Sequence, residues 1–353
     1  MPQRRELATR IGSPWPTRLR YALGVVAAAA LLAFALPSIA GVPLRAVEAV
    51  VAEVPLLSLG ALLLVWVTGL VSHTLTLTAA LPTLTHRRAL TLSLTGSAVA
   101  NVLPLGGAAG VALNYRMLQG WGFNRSQFAT YTVVTNVWDV LAKLTLAAVA
   151  FPLLALFGHA AVHGRWFAGV VPVAGTVAVL LVLVATVIAS PRIAAAVGSF
   201  GDRLGSLLRP SGPDTRRFES ALVDLQASSS RVVRSAWPRL SLGMLLYLSS
   251  LGLLLGGCLE LTGAQVPPIA VLTGLAVERL LTMAGLTPGG AGIVEVGLTG
   301  FLLLLGGDPT GVVAGVLLYR AVTFGLEIPV GGAGIAAWLW LRRRRADPGL
   351  AAG

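Results

Sequence analysis

The sequence has little charge. Only 11% of its 353 residues are charged and 56% are apolar, whereas about a quarter of an average globular domain is charged. The mean hydropathy of +0.82 agrees with this deficit. Such a chain has too little polar surface for a water-soluble enzyme of its size, so that class is excluded. The apolar residues form long blocks between Arg-rich breaks, a pattern typical of a helical membrane protein with several spans.

Cysteine and histidine are also scarce. The single cysteine, Cys258, excludes a disulfide framework and a cysteine-rich metal site. The four histidines are scattered along the chain without the spacing of a metal site. Neither a phosphate-binding glycine loop nor a nucleophile-elbow motif occurs. We therefore expect no enzyme activity, no metal and no cofactor.

The charge that is present is mostly of one sign, with a formal net charge of +12. Arginines crowd the N-terminus and residues 192–239 and 342–345, all of which lie between or beyond apolar blocks. Basic loops of this kind face the cytoplasm and contact anionic lipids. No aromatic stacking platforms accompany the arginines, so nucleic-acid binding is not expected. We predict a multi-pass membrane protein with both termini in the cytoplasm.

Six apolar blocks predict full membrane spans. They are 21–41, 54–81, 127–158, 166–190, 240–262 and 311–341. The predicted domain order is a basic N-terminus (1–20), a first membrane repeat (21–158), a second membrane repeat (166–341) and a basic tail (342–353). Within the second repeat, 191–238 predicts a basic amphipathic helix that lies on the inner leaflet.

Two further apolar stretches are interrupted by proline and glycine. They are 89–103 with 108–119, and 269–286 with 291–305. The breaks contain Pro104, Gly106 and Gly107 in the first stretch and Pro288, Gly289 and Gly290 in the second. We predict an all-α fold of six full spans and two broken re-entrant hairpins in an inverted repeat, with eight or more spans as the alternative. Broken helices at matching positions point to a transport site near the midplane.

Charged side chains inside spans are costly and are therefore the first candidates for a functional site. Asp139 and Lys143 share one face of a span, where they can neutralise each other. A pair that only stabilises helix packing is an equally good interpretation. Arg320 and Glu327 are seven residues apart and share a face of the last span. Glu295 follows the second break, and no cation lies within a helical turn of it in the sequence.

The second break offers free backbone N–H groups at the start of a half-helix, and these attract anions such as phosphate. Arg116, Arg279 and Arg320 are available to neutralise a phospholipid headgroup. Asp139 and Glu295 would pair with a cationic headgroup or carry protons. The predicted substrate-binding residues are Asn101, Pro104, Gly106, Gly107, Arg116, Asp139, Lys143, Glu278, Arg279, Pro288, Gly289, Gly290, Gly292, Glu295, Arg320 and Glu327.

These residues resemble a known family. Asn101-x-x-Pro104 followed by Gly-Gly, and then Trp138-Asp139, is similar to its first half. The stretch Thr287-Pro-Gly-Gly-Ala-Gly-Ile-Val-Glu295, followed by Leu318-Tyr319-Arg320, is similar to the second half of the family. The family is the lysylphosphatidylglycerol synthase transmembrane (flippase-like) family, and the resemblance covers about 56–342. This chain departs from it at 135–136, where Thr-Asn stands in place of a frequent Glu-Arg pair.

The resemblance implies a location in the bacterial inner membrane and a function in lipid transport. In the multiple peptide resistance factor, a member of the family, this domain moves aminoacylated phosphatidylglycerol to the outer leaflet, and a separate soluble domain attaches the amino acid. We expect no synthase domain here, because little sequence follows the last span. The expected partners are phospholipids with anionic or aminoacylated headgroups, a second copy of the chain and a separate lipid-modifying enzyme.

The main hypothesis is therefore a translocator of phospholipid or of an aminoacylated or lipid-linked substrate between leaflets. A secondary transporter of a small anion is one alternative. A membrane accessory of a lipid-modifying system, docked through 191–238, is another.

Overall fold

A computed structural model describes residues 25–103, 106–157, 175–176, 179, 216–283 and 287–346. Within these ranges the main elements are helices and no strand occurs, which confirms the predicted all-α class. The helices are α1 (Val25–Ala40), α2 (Leu44–Ala52), α3 (Leu56–Ala80), α4 (His86–Val102), α5 (Gly106–Gly120), α6 (Arg125–Phe157), α7 (Arg216–Leu261), α8 (Pro268–Met283), α9 (Ile293–Leu304), α10 (Pro309–Arg320) and α11 (Glu327–Ala346).

Four helical stretches of the described chain are long and apolar enough to cross a membrane. They are Leu56–Ala80, Arg125–Phe157, Leu225–Leu261 and Pro309–Arg343. These stretches confirm the apolar helices predicted at 54–81, 127–158, 240–262 and 311–341. The predicted span 166–190 lies outside the described residues apart from a few isolated positions, as do 1–20 and most of the tail. The predicted total of six full spans and the predicted inverted repeat remain predictions.

The first predicted span, 21–41, ends in a sharp bend. Helices α1 and α2 meet at 91°, because Gly41 adopts a left-handed φ of 67° and Pro43 precedes the first turn of α2. Leu36 of α1 and Val47 of α2 are both buried against α10. If the bent pair crosses the membrane as one unit, it provides a fifth span.

Both predicted breaks interrupt helices in the structure. At the first, α4 (17 residues) and α5 (15 residues) pack against each other. Gly110 permits this approach, since a Cβ there would lie 2.7 Å from the carbonyl oxygen of Gly96. At the second break, a short 3₁₀ turn (Pro288–Gly290) separates α8 from α9. This turn packs against α4, so the two breaks lie side by side. Pro104 lies outside the described residues.

Helix α7 differs from the expectation for 191–238. Its 46 residues continue without interruption through Pro238 into the predicted span, a length of about 69 Å at 1.5 Å per residue. Val232, Ala236 and Leu240 recur every four residues and pack against a core of α3–α5. The apolar face of 232–240 therefore packs against protein, because its helical periodicity continues that of the span. Residues 191–215 lie outside the described ranges.

The largest core joins α3, α7, α8, α9 and α10. Its fully buried side chains include Leu254, Leu255, Leu298, Leu302 and Tyr319. Close helix approach supports it, since a Cβ at Gly311 would lie 2.6 Å from the backbone nitrogen of Ala264. This core holds α9 and α10 in the positions that their charged side chains need.

Candidate functional site

A chain of buried ion pairs lies beside the second break. Arg320, the last residue of α10, donates from Nε to Glu295 Oε1 at 2.6 Å. Another guanidinium nitrogen donates to the carbonyl oxygen of Gly289 at 3.1 Å. A third lies 4.0 Å from Glu278 Oε1. The side chains of Arg320 and Glu295 are 7% and 4% exposed, so both charges depend on these partners.

Glu278 and Glu295 each have a second partner. Glu278 is fully buried and pairs with its neighbour Arg279 through two hydrogen bonds. Glu295 Oε2 accepts the N–H of Gly292 at 2.6 Å and so caps the first turn of α9. The cluster thus ties α8, the turn, α9 and α10 together. The cation that Glu295 lacks in the local sequence is Arg320, 25 residues further along the chain.

A π-helical turn (Ala321–Gly325) follows Arg320 and shapes the same region. It places Phe324 under the Arg320 guanidinium, 4.8 Å from the ring centroid. Gly289, with φ of 57°, faces this ring and the Oδ1 atom of Asn101. Turns of this type are frequent at functional sites.

A polar cavity of about 530 Å³ borders the ion pairs. Both breaks contribute to its wall. The predicted residues that line it are Asn101, Gly106, Gly107, Lys143, Arg279, Gly289, Gly290, Arg320 and Glu327. Further polar lining comes from Ser97, Tyr247, Thr282, Thr287 and Thr323. All four charged lining residues of the described chain are thus among those predicted from the sequence, whereas the hydroxyl-bearing lining residues are not.

Four polar side chains of this wall differ in their hydrogen-bond and ion-pair partners. Asn101 Nδ2 donates to Glu327 Oε2 at 3.3 Å. Lys143 pairs with Asp139 at 2.7 Å, and the two side chains are 15% and 39% exposed. The Thr287 hydroxyl is buried and has no hydrogen-bond partner among the described residues. Donors for an anion and an acceptor for a cation thus occur in one cavity.

The remaining predicted residues lie behind or away from the wall. Glu278, Gly292 and Glu295 support the lining through the ion pairs described above. Arg116 is exposed on α5 and is not among the lining residues. Arg320 and Glu327 both line the cavity, but the ion pairs of Arg320 are with Glu278 and Glu295.

Two of the missed lining residues carried a signal in the sequence. Ser97 precedes Asn101 by four residues and so shares its face of α4. Thr287 adjoins Pro288 at the second break. Tyr247 had no such signal, since only tertiary packing brings α7 here, where its ring stacks on His73 at 4.6 Å. Within the described ranges, no group of three His, Cys, Asp or Glu side chains could hold a metal ion.

A comparison with known protein families finds a match over most of the chain. The family described as lysylphosphatidylglycerol synthase TM region matches residues 21–331. The match includes most of the chain and every residue that lines the cavity. No curated protein matches the chain. Several apolar helices of spanning length and this family match identify a multi-pass membrane protein. The chain belongs to the family of lysylphosphatidylglycerol synthase TM regions.

Proposed function

We propose that this protein is a non-enzymatic translocator that moves the headgroup of a phospholipid, or of an aminoacylated or lipid-linked substrate, between leaflets. One observation carries the proposal: a polar cavity of about 530 Å³, bordered by ion pairs, lies where both broken helices meet in an otherwise apolar protein. Non-helical backbone at membrane depth is tolerated only where it is buried or lines a cavity. Its family ties the chain to membrane proteins of lipid modification.

Such a cavity lowers the barrier that a headgroup meets in a bilayer. A charged group at the bilayer centre costs several kcal/mol. Lys143, Arg279 and the cavity hydroxyls can replace the water around a phosphate, and Glu327 can accept from an amine. The acyl chains would stay in the surrounding lipid. In this proposal the Glu278–Arg320–Glu295 ion pairs hold the second break open and do not themselves bind the headgroup.

The location and partners belong to the same proposal. The arginine-rich segments support a cytoplasmic location for the N- and C-termini by the positive-inside rule, and we propose that the protein lies in the bacterial inner membrane. Phospholipids are the substrates, and a lipid-modifying enzyme is a separate partner. No cofactor is required, because the proposed step makes and breaks no covalent bond.

Lys143→Gln tests the phosphate contact. We expect translocation to slow by about tenfold or more, because a hydrogen bond to a charged group contributes about 1.5–3 kcal/mol. The assay follows fluorescent phospholipids in proteoliposomes by their accessibility to a membrane-impermeant quencher. Arg45→Gln is the matched control: it removes one charge from the exposed surface of α2 and should leave the rate unchanged. Equal rates for Lys143→Gln and wild type would contradict this role.

Thr287→Val separates a binding role from a structural one. Valine keeps the shape of the side chain and removes only a buried hydroxyl without a partner among the described residues. We therefore expect the thermal unfolding midpoint to stay the same or rise, since no hydrogen bond of the resting protein is lost. We expect translocation in the same assay to slow by about threefold to tenfold. A lower unfolding midpoint with an unchanged rate would assign the hydroxyl to the fold.

A small anion is the second candidate substrate. Lys143 and Arg279 face a cavity whose volume is within the range of small-molecule sites. A secondary transporter would accumulate phosphate in proteoliposomes under an ion gradient and move no lipid.

The hypothesis of a membrane accessory docked through 191–238 concerns a segment of which residues 191–215 lie outside the described ranges.

A further inference from the structure

A second cluster with ligand-binding chemistry lies away from the polar cavity. It is found where α4 begins and where α5 and α11 approach their ends. The Arg88 guanidinium lies over the Trp121 ring, 5.2 Å from its centroid. The Arg342 guanidinium lies over the Trp338 ring at 5.5 Å. None of these four residues lines the cavity, and the family-like motifs do not include them.

The two indole rings share one support. Trp121 and Trp338 are half-buried and pack against the same core, which contains the fully buried Met117 and Leu118. Trp338 also lies close to the residue that precedes Trp121, since a Cβ at Gly120 would lie 4.0 Å from Trp338 Cζ2. Because α4 and α11 pack against each other, the Arg88–Trp121 and Arg342–Trp338 pairs lie at one corner of the molecule.

Stacking orients the two guanidinium groups without neutralising them. A guanidinium over an indole gains about 0.5–1 kcal/mol at an exposed site, and its N–H edge stays free for a planar or tetrahedral anion. Arg342 is exposed and Arg88 is half-buried. Within the part of the chain that the structure describes, neither has a carboxylate partner. The guanidinium groups of Arg88 and Arg342 are therefore two oriented hydrogen-bond donors that can bind an anion.

The surroundings favour an anion with an apolar tail. Further arginines occur on the helices that surround this corner, namely Arg87, Arg116, Arg125, Arg231, Arg234, Arg239 and Arg343. Leu339 and Leu341, which flank this corner on α11, are 42% and 51% exposed. A lipid with an anionic headgroup satisfies both features, because its phosphate meets the arginines while its acyl chains cover the leucines. Free phosphate satisfies only the first.

We propose that Arg88, Trp121, Trp338 and Arg342 form a binding site for the headgroup of an anionic phospholipid, separate from the polar cavity. The lipid bound here stays in one leaflet and is not the cargo. This proposal does not depend on translocation by the cavity. Each guanidinium donates to a phosphate oxygen, and each indole holds its arginine in place.

The test counts lipids bound to the purified full chain. Phosphatidylglycerol and phosphatidylcholine are titrated separately into neutral detergent, and bound lipid is measured by native mass spectrometry. We expect phosphatidylglycerol to bind more tightly, and Arg88→Gln and Arg342→Gln each to weaken it by about tenfold, as for the loss of a charge-assisted hydrogen bond. Arg231→Gln removes an equal charge from the same end outside the cluster, and it should change the affinity by less than twofold.

Trp121→Leu removes the stacking surface but keeps the residue apolar. We expect it to weaken phosphatidylglycerol binding by about twofold to fivefold with both arginines still present. Equal effects of the Arg88, Arg342 and Arg231 variants would overturn the site in favour of a diffuse basic surface. Equal binding of the two lipids would also overturn it. Displacement of the lipid by millimolar inorganic phosphate would show an anion site without lipid recognition and contradict the proposal.

Discussion

Arg320→Met is expected to lower the free energy of unfolding by about 3–5 kcal/mol. The substitution leaves the Glu295 carboxylate buried without a cation, and removing one partner of a buried ion pair carries a penalty of this size. It also removes the hydrogen bond to the carbonyl oxygen of Gly289, so the second break loses its link to α10. The measurement is equilibrium unfolding in mixed detergent micelles containing increasing amounts of SDS.

Two further variants make this result specific. Arg45→Met removes an exposed cation and should change the unfolding free energy by less than about 0.5 kcal/mol. Glu295→Gln, combined with Arg320→Met, removes the uncompensated charge and should restore about half of the loss, since the amide oxygen can still accept the N–H of Gly292. An additive double variant, with no recovery, would contradict the ion-pair interpretation.

Gly289→Ala is expected to lower the unfolding free energy by about 3 kcal/mol. Two costs add. A left-handed φ of 57° costs a residue with a Cβ about 1–2 kcal/mol. The added methyl group would also overlap the Phe324 ring and lie 2.8 Å from Asn101 Oδ1, and overpacking of this kind costs about 1–3 kcal/mol. The measurement is the same unfolding titration.

Gly263→Ala provides the matched control for this substitution. Gly263 has a similar φ of 69°, but nothing lies within 4 Å of its Cβ position. It should therefore show the conformational cost alone, about 1–2 kcal/mol. Adding Phe324→Ala to Gly289→Ala should relieve the overlap with the ring. Equal losses at Gly263 and Gly289 would mean that the break does not pack against Phe324 as described.

Local pattern was sufficient to predict much of this fold. The apolar stretches at 54–81, 127–158, 240–262 and 311–341 all became helices of spanning length, because run length and hydropathy are properties of the local sequence. The two breaks followed from proline and glycine at short intervals. The pairing of Asp139 with Lys143 followed from helical spacing.

The contacts that join different helices at the site could not be predicted from local sequence patterns. The partner of Glu295 is 25 residues away on another helix, and no periodicity predicts which arginine it selects. Helical spacing also does not predict the π turn that lies between Arg320 and Glu327. Arg116 has the right charge and adjoins the first break in sequence, yet α5 carries it to an exposed position away from the cavity lining.

Helix α7 shows that composition and a proline do not always mark the end of a helix. Composition separates the basic segment before Pro238 from the apolar span after it, and the proline suggests a boundary there. The helix nevertheless continues, because Val232, Ala236 and Leu240 bury one continuous face. Packing along a whole helix face can outweigh the loss of one backbone hydrogen bond at a proline.

The most direct test of the central proposal is lipid movement by the wild-type protein. Purified chain is reconstituted into liposomes with a series of headgroup-labelled phospholipids, and movement between leaflets is compared with protein-free liposomes. The account predicts faster movement of at least one headgroup class, and loss of that movement in Lys143→Gln but not in Arg45→Gln. Well-folded protein that moves no lipid, even under an imposed proton or potential gradient, would contradict it.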